Sequence, residues 1–356
     1  MNLAGVIEEL IEERGLDKEQ VAKIICDGVQ AAYEKKFPDL LFHTSIDSRN
    51  LGVDVEVEKE VVSSSPSVET EITLRRARVI NPKVEVGNKL FCPFDGQIGR
   101  VELLVAKQLI AQGIRDVEQA AVFKEFHERE GSLITGTIHK RERAGYAVNL
   151  GDVVAFLPNS CAIPEENLRV GFHVRALLKE VLESTQGGYQ LILDRASPEF
   201  VKKLLETEIP EIFEGIVEIK EVSRVDSYKT KIAVVSNSSD VDPVGTCVGV
   251  GGSRIKPILK EIGSEKVDLI VWTDNLETFV RGCLKPAEIE RVRIGEDGAA
   301  MVWLPDDQRS FAIGKMGQNI FLASKLAGVD IHLQEPQGGD KDELFAGGDD
   351  VASDDK

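Results

Sequence analysis

The 356-residue sequence lacks the segments that mark membrane and exported proteins. It contains no apolar run long enough to cross a bilayer, and its first residues have neither the basic region nor the cleavage site of a signal peptide. The five cysteines are scattered along the chain, and none belongs to a CxxC or CxxCH motif. We therefore expect a cytoplasmic protein that does not bind membranes and whose thiols are buried or neutral in a reducing compartment.

Signatures of catalysis are missing as well. Neither a GxxxxGK[ST] phosphate-binding loop nor an HExxH motif occurs, and the five histidines have no spacing typical of metal ligands. None of the 61 carboxylates stands in a glycine-rich or apolar setting that would distinguish a catalytic pair. The sequence therefore predicts no catalytic residue, no metal site and no cofactor, and we expect a protein that is not an enzyme.

Positive charge is scarce. The 61 acidic residues outnumber the 43 basic residues and give a net charge of −18, so the chain as a whole gains little from non-specific attraction to phosphates. Part of this charge is local, because residues 337–356 carry a net charge of −5, from seven acidic residues and two lysines. This tail has no hydrophobic periodicity and is predicted to be disordered. A nucleic-acid binder of this composition would depend on small basic loops or on a partner that holds the RNA nearby.

What the sequence does contain is a pair of glycine loops in matching surroundings. Gly249-Val250-Gly251-Gly252 lies between a short apolar helix and an amphipathic helix, and a strand-like run follows at residues 267–272. Gly314-Lys315-Met316-Gly317 repeats this order 65 residues later, with a strand at residues 329–333. A helix, a GxxG loop, a second helix and a strand form the centre of a KH domain, whose loop clamps about four nucleotides of single-stranded RNA.

The chemistry of these loops suits a phosphate chain. Glycine lets phosphates approach the backbone closely, and the following helix start offers unpaired N–H groups and a positive dipole end. In a chain with 31 glycines, one such loop would more simply be a turn between two helices, but the repetition favours binding. The residues predicted to bind RNA here are Gly249, Val250, Gly251, Gly252, Arg254, Lys256, Gly314, Lys315, Met316, Gly317, Gln318, Asn319 and Lys325.

The first 130 residues predict a domain of mixed helix and sheet. Apolar spacing predicts a helix over residues 2–14 and a second helix that starts at Asp17, with Gln20 in the capping-box position, and ends before Pro38. Strands at residues 52–58 and 69–74, joined by a turn at 63–67, predict a half-buried antiparallel sheet, and another strand follows at 89–94. A long helix is predicted from Val101 to about residue 130, with Gly131 in the C′ position after it.

Between residues 132 and 193 the pattern changes to five short strands separated by turn residues, a number typical of an OB-fold barrel. The residues predicted to face a nucleic acid are Lys140, Arg141, Arg143, Tyr146, Phe156 and His173, because bases stack on aromatic rings and phosphates meet cations. An equally good interpretation is that Phe156 belongs to the core and the basic cluster is a solvated turn. A helix capped by Ser197 follows, and two strands precede each glycine loop, at residues 216–225 and 231–235 and again at 290–294 and 299–304.

The order of these parts resembles the NusA family of bacterial transcription elongation factors over residues 1–335. The most specific matching segments lie at residues 210–220, 242–249, 312–315, 317–319 and 322–328, with a further match at 106–108 and 114–115. The resemblance implies an α+β multidomain fold: an α/β N-terminal domain with a long linking helix (1–130), an OB-fold barrel (131–200), two tandem type II KH domains (201–284 and 285–336) and a disordered acidic tail (337–356).

The resemblance also implies a function. The N-terminal domain would bind RNA polymerase core near the RNA exit channel, and the barrel and KH units would form one surface for nascent single-stranded RNA. The protein would modulate pausing, termination and antitermination as a monomer, together with other Nus-type antitermination factors. Because the polymerase would deliver the transcript, a high local RNA concentration would offset the unfavourable net charge.

This sequence departs from the family pattern at three positions near the loops. Gly251 stands where the family usually has a bulky or basic residue, Met316 replaces a usual glycine, and Phe321 replaces a usual basic residue. We therefore expect an RNA affinity below the family norm and mostly electrostatic. The acidic C-terminal repeats of some members do not follow the second KH unit here, so masking of the RNA surface by such repeats is not expected.

Two other interpretations use the same modules. A phosphorolytic exoribonuclease carries KH and OB modules, but in the opposite order and behind catalytic domains that do not fit into residues 1–130. A ribosome- or translation-associated RNA-binding protein is the better alternative, and the binding partner of residues 1–130 would distinguish it from a transcription factor.

Overall fold

The computed structural model describes residues 17–46, 52–63, 70–164, 166–183, 185 and 188–334. The helix predicted over residues 2–14, most of the predicted turn at 63–67 and the predicted disordered tail lie outside these ranges. The chain divides into two compact units, the first with residues 1–125 and 182–190 and the second with residues 126–181 and 191–356. Within the described ranges, no helix combines the length and apolar character that crossing a bilayer requires.

The first unit packs two helices and an aromatic cluster against a mixed sheet. Its elements are α1 (Lys18–Lys36), β1 (Phe42–Ile46), β2 (Val53–Val62), β3 (Glu71–Thr73), α2 (Leu74–Ile80), β4 (Lys89–Pro93) and most of α3 (Arg100–His127). Val21 and Ile25, which belong to the apolar stripe predicted for α1, pack with Ile110 and Ile114 of α3. A separate cluster is formed by the rings of Tyr33, Phe37, Phe42 and Phe94, whose neighbouring centroids lie 5.1–6.2 Å apart. Strand β2 pairs with each of the other three strands.

The strand pairing of this sheet differs from the prediction. Strand β2 pairs with β1 and β4 in antiparallel fashion, but β3 runs parallel to the end of β2, so the predicted antiparallel pairing of these two segments is wrong. Alternating hydrophobicity specifies which face of a strand is buried, not the direction in which the strand pairs. Only three residues of β3 pair, and the chain then enters the unpredicted helix α2, whose Ala77 packs beside Val61 and Val84.

The helix start predicted at Asp17 is confirmed, but two predicted capping arrangements are wrong. Asp17 precedes α1, but its side chain forms no capping hydrogen bond there, so the capping box with Gln20 does not form. Helix α3 ends at His127, so Gly131 lies beyond the C′ position. With φ at +75°, Gly131 instead turns the chain into the next strand, and its N–H donates to the Leu178 carbonyl at 2.8 Å.

The second unit begins with the predicted barrel. Its strands are β5 (Leu133–Arg141), β6 (Gly145–Asn149), β7 (Val154–Pro158), β8 (His173–Val181) and β9 (Leu191–Asp194). They close in the order β5-β6-β7-β9-β8, because β5 pairs with both β6 and β8. Ile138, Val148, Ala155 and Leu178 are buried among these strands, as the alternating pattern requires for a barrel of this size.

After the barrel, the second compact unit contains a short helical link and two KH units that share one topology. The elements are α4 (Pro198–Glu208), α5 (Pro210–Phe213), β10 (Val217–Val225), β11 (Lys229–Ser236), α6 (Pro243–Val248), α7 (Ile255–Ile262), β12 (Lys266–Val271), α8 (Leu276–Cys283), β13 (Arg291–Ile294), β14 (Ala300–Trp303), α9 (Asp306–Ile313), α10 (Gln318–Ala327) and β15 (Ile331–Gln334). In each KH unit two antiparallel strands are followed by two helices and a third strand, which pairs parallel to the second strand. The Ser197 side chain accepts the Phe200 N–H at the start of α4, as the sequence predicts.

One hydrophobic core is shared by the two KH units. Ala233 and Ile270 from the first sheet pack with Ala300 and Val302 from the second sheet, and Phe279 of α8 lies in the same cluster. Helix α10 of the second KH unit also packs against strands β10 and β11 of the first KH unit. Because close-packed interiors resist deformation, this core holds the two KH units in one arrangement.

A buried ion pair lies where the barrel meets the first KH unit. The Arg224 guanidinium donates to Glu265 from Nε at 2.9 Å and from Nη2 at 2.8 Å, and both side chains are fully buried. Its Nη1 donates to the carbonyls of Arg195 and Ser197, at 2.7 and 2.8 Å. The Thr230 hydroxyl also donates to Glu265. Buried charges are tolerated only when they are paired and hydrogen-bonded in this way.

A second set of charges extends this contact. Buried Arg195, just after β9, forms ion pairs with Glu166 of the barrel and with Glu261 of α7, the latter at 2.6 Å. Arg175 of β8 reaches Glu208 at the end of α4 at 2.7 Å and the same Glu261 at 3.3 Å. The barrel is therefore joined to the first KH unit by ion pairs whose partners come from both sides of the contact.

Removing one partner of the buried pair tests this description. The substitution Arg224→Met leaves the Glu265 carboxylate buried without its cation, so we expect the free energy of unfolding of the second unit to fall by about 3–5 kcal/mol. Both tryptophans, Trp272 and Trp303, lie in this unit, so their fluorescence in a urea titration reports its unfolding.

The double variant Arg224→Met, Glu265→Leu is the matched control. It removes both charges, so we expect it to be more stable than Arg224→Met alone, although the two carbonyls still lose their donor. Equal losses in the single and double variants would show that the uncompensated charge is not the cause.

Candidate nucleic-acid interface

The first glycine loop is positioned by a capped helix. The Asp242 carboxylate accepts the N–H groups of Val244 and Gly245 at 3.1 and 3.0 Å, and Pro243 occupies the first turn of α6. The helix ends at Val248, and a single 3₁₀ turn, Val250–Gly252, leads to α7. This short connection leaves the loop at the surface, where the Val250 side chain is 95% exposed.

The second loop follows the same backbone path with a different sequence. Gly314 has φ/ψ of 71°/179°, and Gly249 has 71°/168°. Two residues later, Met316 has 53°/28° and Gly251 has 62°/20°. Met316 therefore adopts a left-handed conformation that favours glycine, and its side chain is 87% exposed.

The first glycine of each loop cannot be replaced without strain. The backbone region that Gly249 and Gly314 occupy is essentially restricted to glycine. A Cβ on Gly314 would lie 2.6 Å from the Asn319 Cβ, and a Cβ on Gly249 would lie 2.9 Å from atoms of Ser253 and Arg254. By contrast, a Cβ on Gly251 or Gly317 would meet no atom within 4 Å.

Matching polar contacts support the two loops. Arg254 stands two residues after the last glycine of the first loop, and its Nη1 donates to the Thr246 carbonyl at 2.8 Å. Asn319 has the same place in the second loop, and its Nδ2 donates to the Phe311 carbonyl at 3.1 Å. Thr246 and Phe311 each stand three residues before the first glycine of their loop. Each contact therefore ties the helix before the loop to the helix after it.

These contacts change the expected roles of two residues. Asn319 is only 3% exposed, so its side chain supports the loop from inside instead of contacting RNA as predicted. Arg254 is partly exposed, but it also forms an ion pair with Glu211 at 2.8 Å, so the predicted phosphate contact would compete with that pair. Sequence reasoning missed the supporting role, although aligning the two loops position by position places residues 254 and 319 together.

The remaining loop residues predicted to bind RNA are exposed or half-buried. Lys256 and Lys315 are exposed, and Gln318 is half-buried at the start of α10. No side chain among the described residues caps α7 or α10, although the Gln318 N–H at the start of α10 donates to the Lys315 carbonyl of the loop. Lys325 lies further along α10, where its Nζ is 5.2 Å from the centroid of the Phe321 ring.

The barrel residues are divided between its two faces. Lys140, Ala147 and Phe156 pair across β5, β6 and β7, so the lysine and the phenylalanine share the outer face. The Phe156 ring is half-buried over Gly145, where an added Cβ would lie 2.9 Å from its Cζ. This position lies between the exposed and core interpretations that the sequence left open.

Of the other predicted barrel residues, three are exposed and one is not. Arg141, Arg143 and His173 are exposed, and His173 Nδ1 lies 3.1 Å from the Thr137 hydroxyl. Tyr146 is only 8% exposed, and the Arg141 guanidinium lies 5.7 Å from its ring centroid. The prediction that Tyr146 stacks on a base is therefore wrong, because the ring fills the barrel interior.

Three buried ionisable groups in and beside the KH units are held in neutral or paired states. Burial raises the pKa of the Cys247 thiol in α6 to about 11, with a smaller contribution from the Glu211 carboxylate. Burial likewise raises the pKa of Cys283 to about 12. Burial lowers the pKa of Lys231, whose Nζ lies 3.1 Å from Asp268. All five cysteines are free thiols, and four of them are buried.

Comparison with known proteins gives the family. The NusA N-terminal domain matches residues 2–120, the NusA-like first KH domain matches residues 195–272, and the NusA-like second KH domain matches residues 276–341. The "Transcription termination/antitermination protein NusA" of Thermus thermophilus is 33% identical over 95% of this chain and 91% of its own length. The chain belongs to the NusA family. The NusA protein of Halalkalibacterium halodurans is 34% identical over 91% of this chain and 86% of its own length, and that of Bacillus subtilis is 33% identical over 93% and 90%.

The glycine positions of this NusA-family chain give a testable contrast. Both Gly314 and Gly317 have positive φ, but only Gly314 lies in the glycine-only region and packs against Asn319. We expect Gly314→Ala to lower the free energy of unfolding of the second unit by about 2–4 kcal/mol, because strain and overpacking add. The control Gly317→Ala has open space and should cost only about 1 kcal/mol. Equal losses in a urea titration would contradict the tight packing of Gly314.

Proposed function

We propose that this chain is a bacterial transcription termination/antitermination factor that holds nascent single-stranded RNA at its two glycine loops while its N-terminal unit binds RNA polymerase core. The observation that carries this proposal is the closely matching backbone path of two exposed loops with different sequences. A plain turn between helices does not require both copies to keep a glycine-only conformation, a supporting side chain and an uncapped helix start. The names of the relatives, "Transcription termination/antitermination protein NusA", favour transcription over translation as the setting.

Each loop residue has a distinct role in this proposal. Gly249 and Gly314 set the shape of the loops, and Gly251, Gly252 and Gly317 let the ribose-phosphate chain approach the backbone. Lys256 and Lys315 neutralise phosphates, and Gln318 donates a hydrogen bond from the start of α10. On the barrel, Lys140, Arg143 and His173 extend the same surface for RNA.

The same proposal specifies the binding partners, the oligomeric state and the cellular location of the protein. The functional division is that expected from the sequence, with polymerase contacts in residues 1–130 and RNA contacts in residues 131–336. The protein acts as a monomer in the cytoplasm, meets other Nus-type antitermination factors on the polymerase and catalyses no reaction. Co-purification of the full chain with RNA polymerase core supports this assignment, whereas co-purification with ribosomes alone would favour the translation-associated alternative.

Salt dependence tests the electrostatic character of RNA binding. Each neutralised phosphate of a single strand contributes about −0.7 to the slope of log affinity against log salt concentration. We expect a clear negative slope for the full chain, and Lys315→Ala should reduce its magnitude by about 0.7. The control Lys35→Ala, an exposed lysine of the first unit, should leave the slope unchanged. A flat slope for the unmodified chain would contradict the proposal.

A charge placed in the second loop tests the contact itself. Open space at Gly317 admits a side chain, and aspartate and asparagine tolerate its left-handed conformation better than most residues. We expect Gly317→Asp to abolish RNA binding by the second KH unit, because the carboxylate repels phosphate. Gly317→Asn has the same shape without the charge and should keep most of the binding. Equal RNA affinities of the two variants, measured by filter binding of the full chain, would show that no phosphate approaches this loop.

A further inference from the structure

The two KH units differ at one exposed position next to their loops. Four residues after the last glycine, the first unit has Lys256 and the second has Phe321. Eight residues after that glycine, both units have a lysine, Lys260 and Lys325. Residues four apart lie on one face of a helix, so the same face carries two lysines in α7 but a phenylalanine and a lysine in α10.

Phe321 is not needed for the core of the second unit. The buried face of α10 is formed by Asn319, Leu322, Ala323 and Leu326. The Phe321 side chain is 49% exposed, although burial of a phenylalanine is normally favourable. A large exposed apolar ring beside a binding loop is therefore a candidate contact surface.

The surroundings of the ring specify what kind of partner it suits. The Lys325 ammonium lies 5.2 Å from the ring centroid, so a positive charge covers one face of an otherwise apolar surface. The exposed Lys315 of the second loop adds another cation on the approach to α10. A flat ring flanked by cations matches an unpaired RNA base, which offers a π face for stacking and a phosphate on each side.

We propose that Phe321 stacks on an unpaired base of the RNA held by the second loop, so that this KH unit binds by stacking where the first unit binds by charge. This inference rests on the proposed function, because it requires RNA to reach the Gly314-Lys315-Met316-Gly317 loop. Phe321 thereby makes the second KH unit sensitive to the presence of a base and modestly to its stacking strength, whereas Lys256 makes the first KH unit sensitive to phosphate alone.

The experiment compares full-chain variants by fluorescence anisotropy with single-stranded oligo(A), oligo(U) and an abasic strand of equal length. Base–aromatic stacking predicts that Phe321→Ala weakens oligo(A) binding by roughly 5- to 150-fold and leaves the salt slope unchanged. On the abasic strand, the unmodified chain and Phe321→Ala should bind equally. A Phe321→Lys variant introduces the residue of the first unit, so its salt slope should steepen by about 0.7 and its preference between oligo(A) and oligo(U) should fall.

A matched control is available outside the second KH unit, at the end of α5. Phe213 is 83% exposed and lies outside both loops, so Phe213→Ala should bind every strand as the unmodified chain does. A loss with Phe213→Ala as large as with Phe321→Ala would overturn the assignment to position 321, because any exposed ring would then have the same effect.

The remaining outcomes separate the inference from the proposed function. If Phe321→Ala binds oligo(A) normally while Gly317→Asp binds it more weakly than the unmodified chain, the stacking inference is wrong and the RNA-binding function stands. If Phe321→Ala loses affinity equally on the abasic strand, Phe321 has only a structural role and the inference is also wrong. If Phe321→Ala keeps all RNA binding but no longer co-purifies with polymerase core, the ring is a protein contact. If the unmodified chain binds none of the strands, the proposed function itself fails.

Discussion

The buried pair of Arg224 and Glu265 is the contact on which the geometry of the RNA-binding unit depends. It lies where the barrel, α4 and the first KH sheet meet, and its hydrogen bonds reach Arg195 and Ser197 of the connecting chain. Burying two charges contributes little net stability compared with apolar residues of the same shape. However, a pair with every donor and acceptor satisfied can form in few arrangements, so we infer that it selects one orientation of the barrel on the first KH unit.

The shared apolar core extends this constraint to the second KH unit. Charges orient the barrel on the first unit, and the cluster around Phe279 then joins the first sheet to the second. Two weak RNA sites in one rigid body bind a single strand more tightly than either site alone, because the second contact becomes intramolecular. This arrangement explains how a chain with a net charge of −18 could hold RNA without a strongly basic surface.

Features with local causes could be predicted from the sequence. The glycine loops, the five barrel strands, the long helix α3 and the Ser197 cap all follow from periodicity or from the conformational limits of single residues. Features with non-local causes could not. The parallel pairing of β3 with β2 and the burial of Tyr146 depend on how strands pair in the folded chain, which the hydrophobic pattern of each strand does not specify. The supporting hydrogen bonds of Arg254 and Asn319 were not predicted, because a polar residue beside a glycine loop indicates a ligand contact and a structural hydrogen bond equally well.

The most direct test of this account is whether the two glycine loops keep a fixed separation. Spin labels can be attached to cysteines introduced by Val250→Cys and Met316→Cys, because both positions are highly exposed. Four of the native thiols are buried and therefore protected from labelling, and Cys26 can be replaced. A pulsed electron-electron double resonance experiment then gives the distribution of label-to-label distances in the full chain. We predict one narrow distribution that does not change when RNA binds. A broad or bimodal distribution would show that the KH units move independently, and it would contradict the claim that buried charges and a shared core form one RNA-binding body.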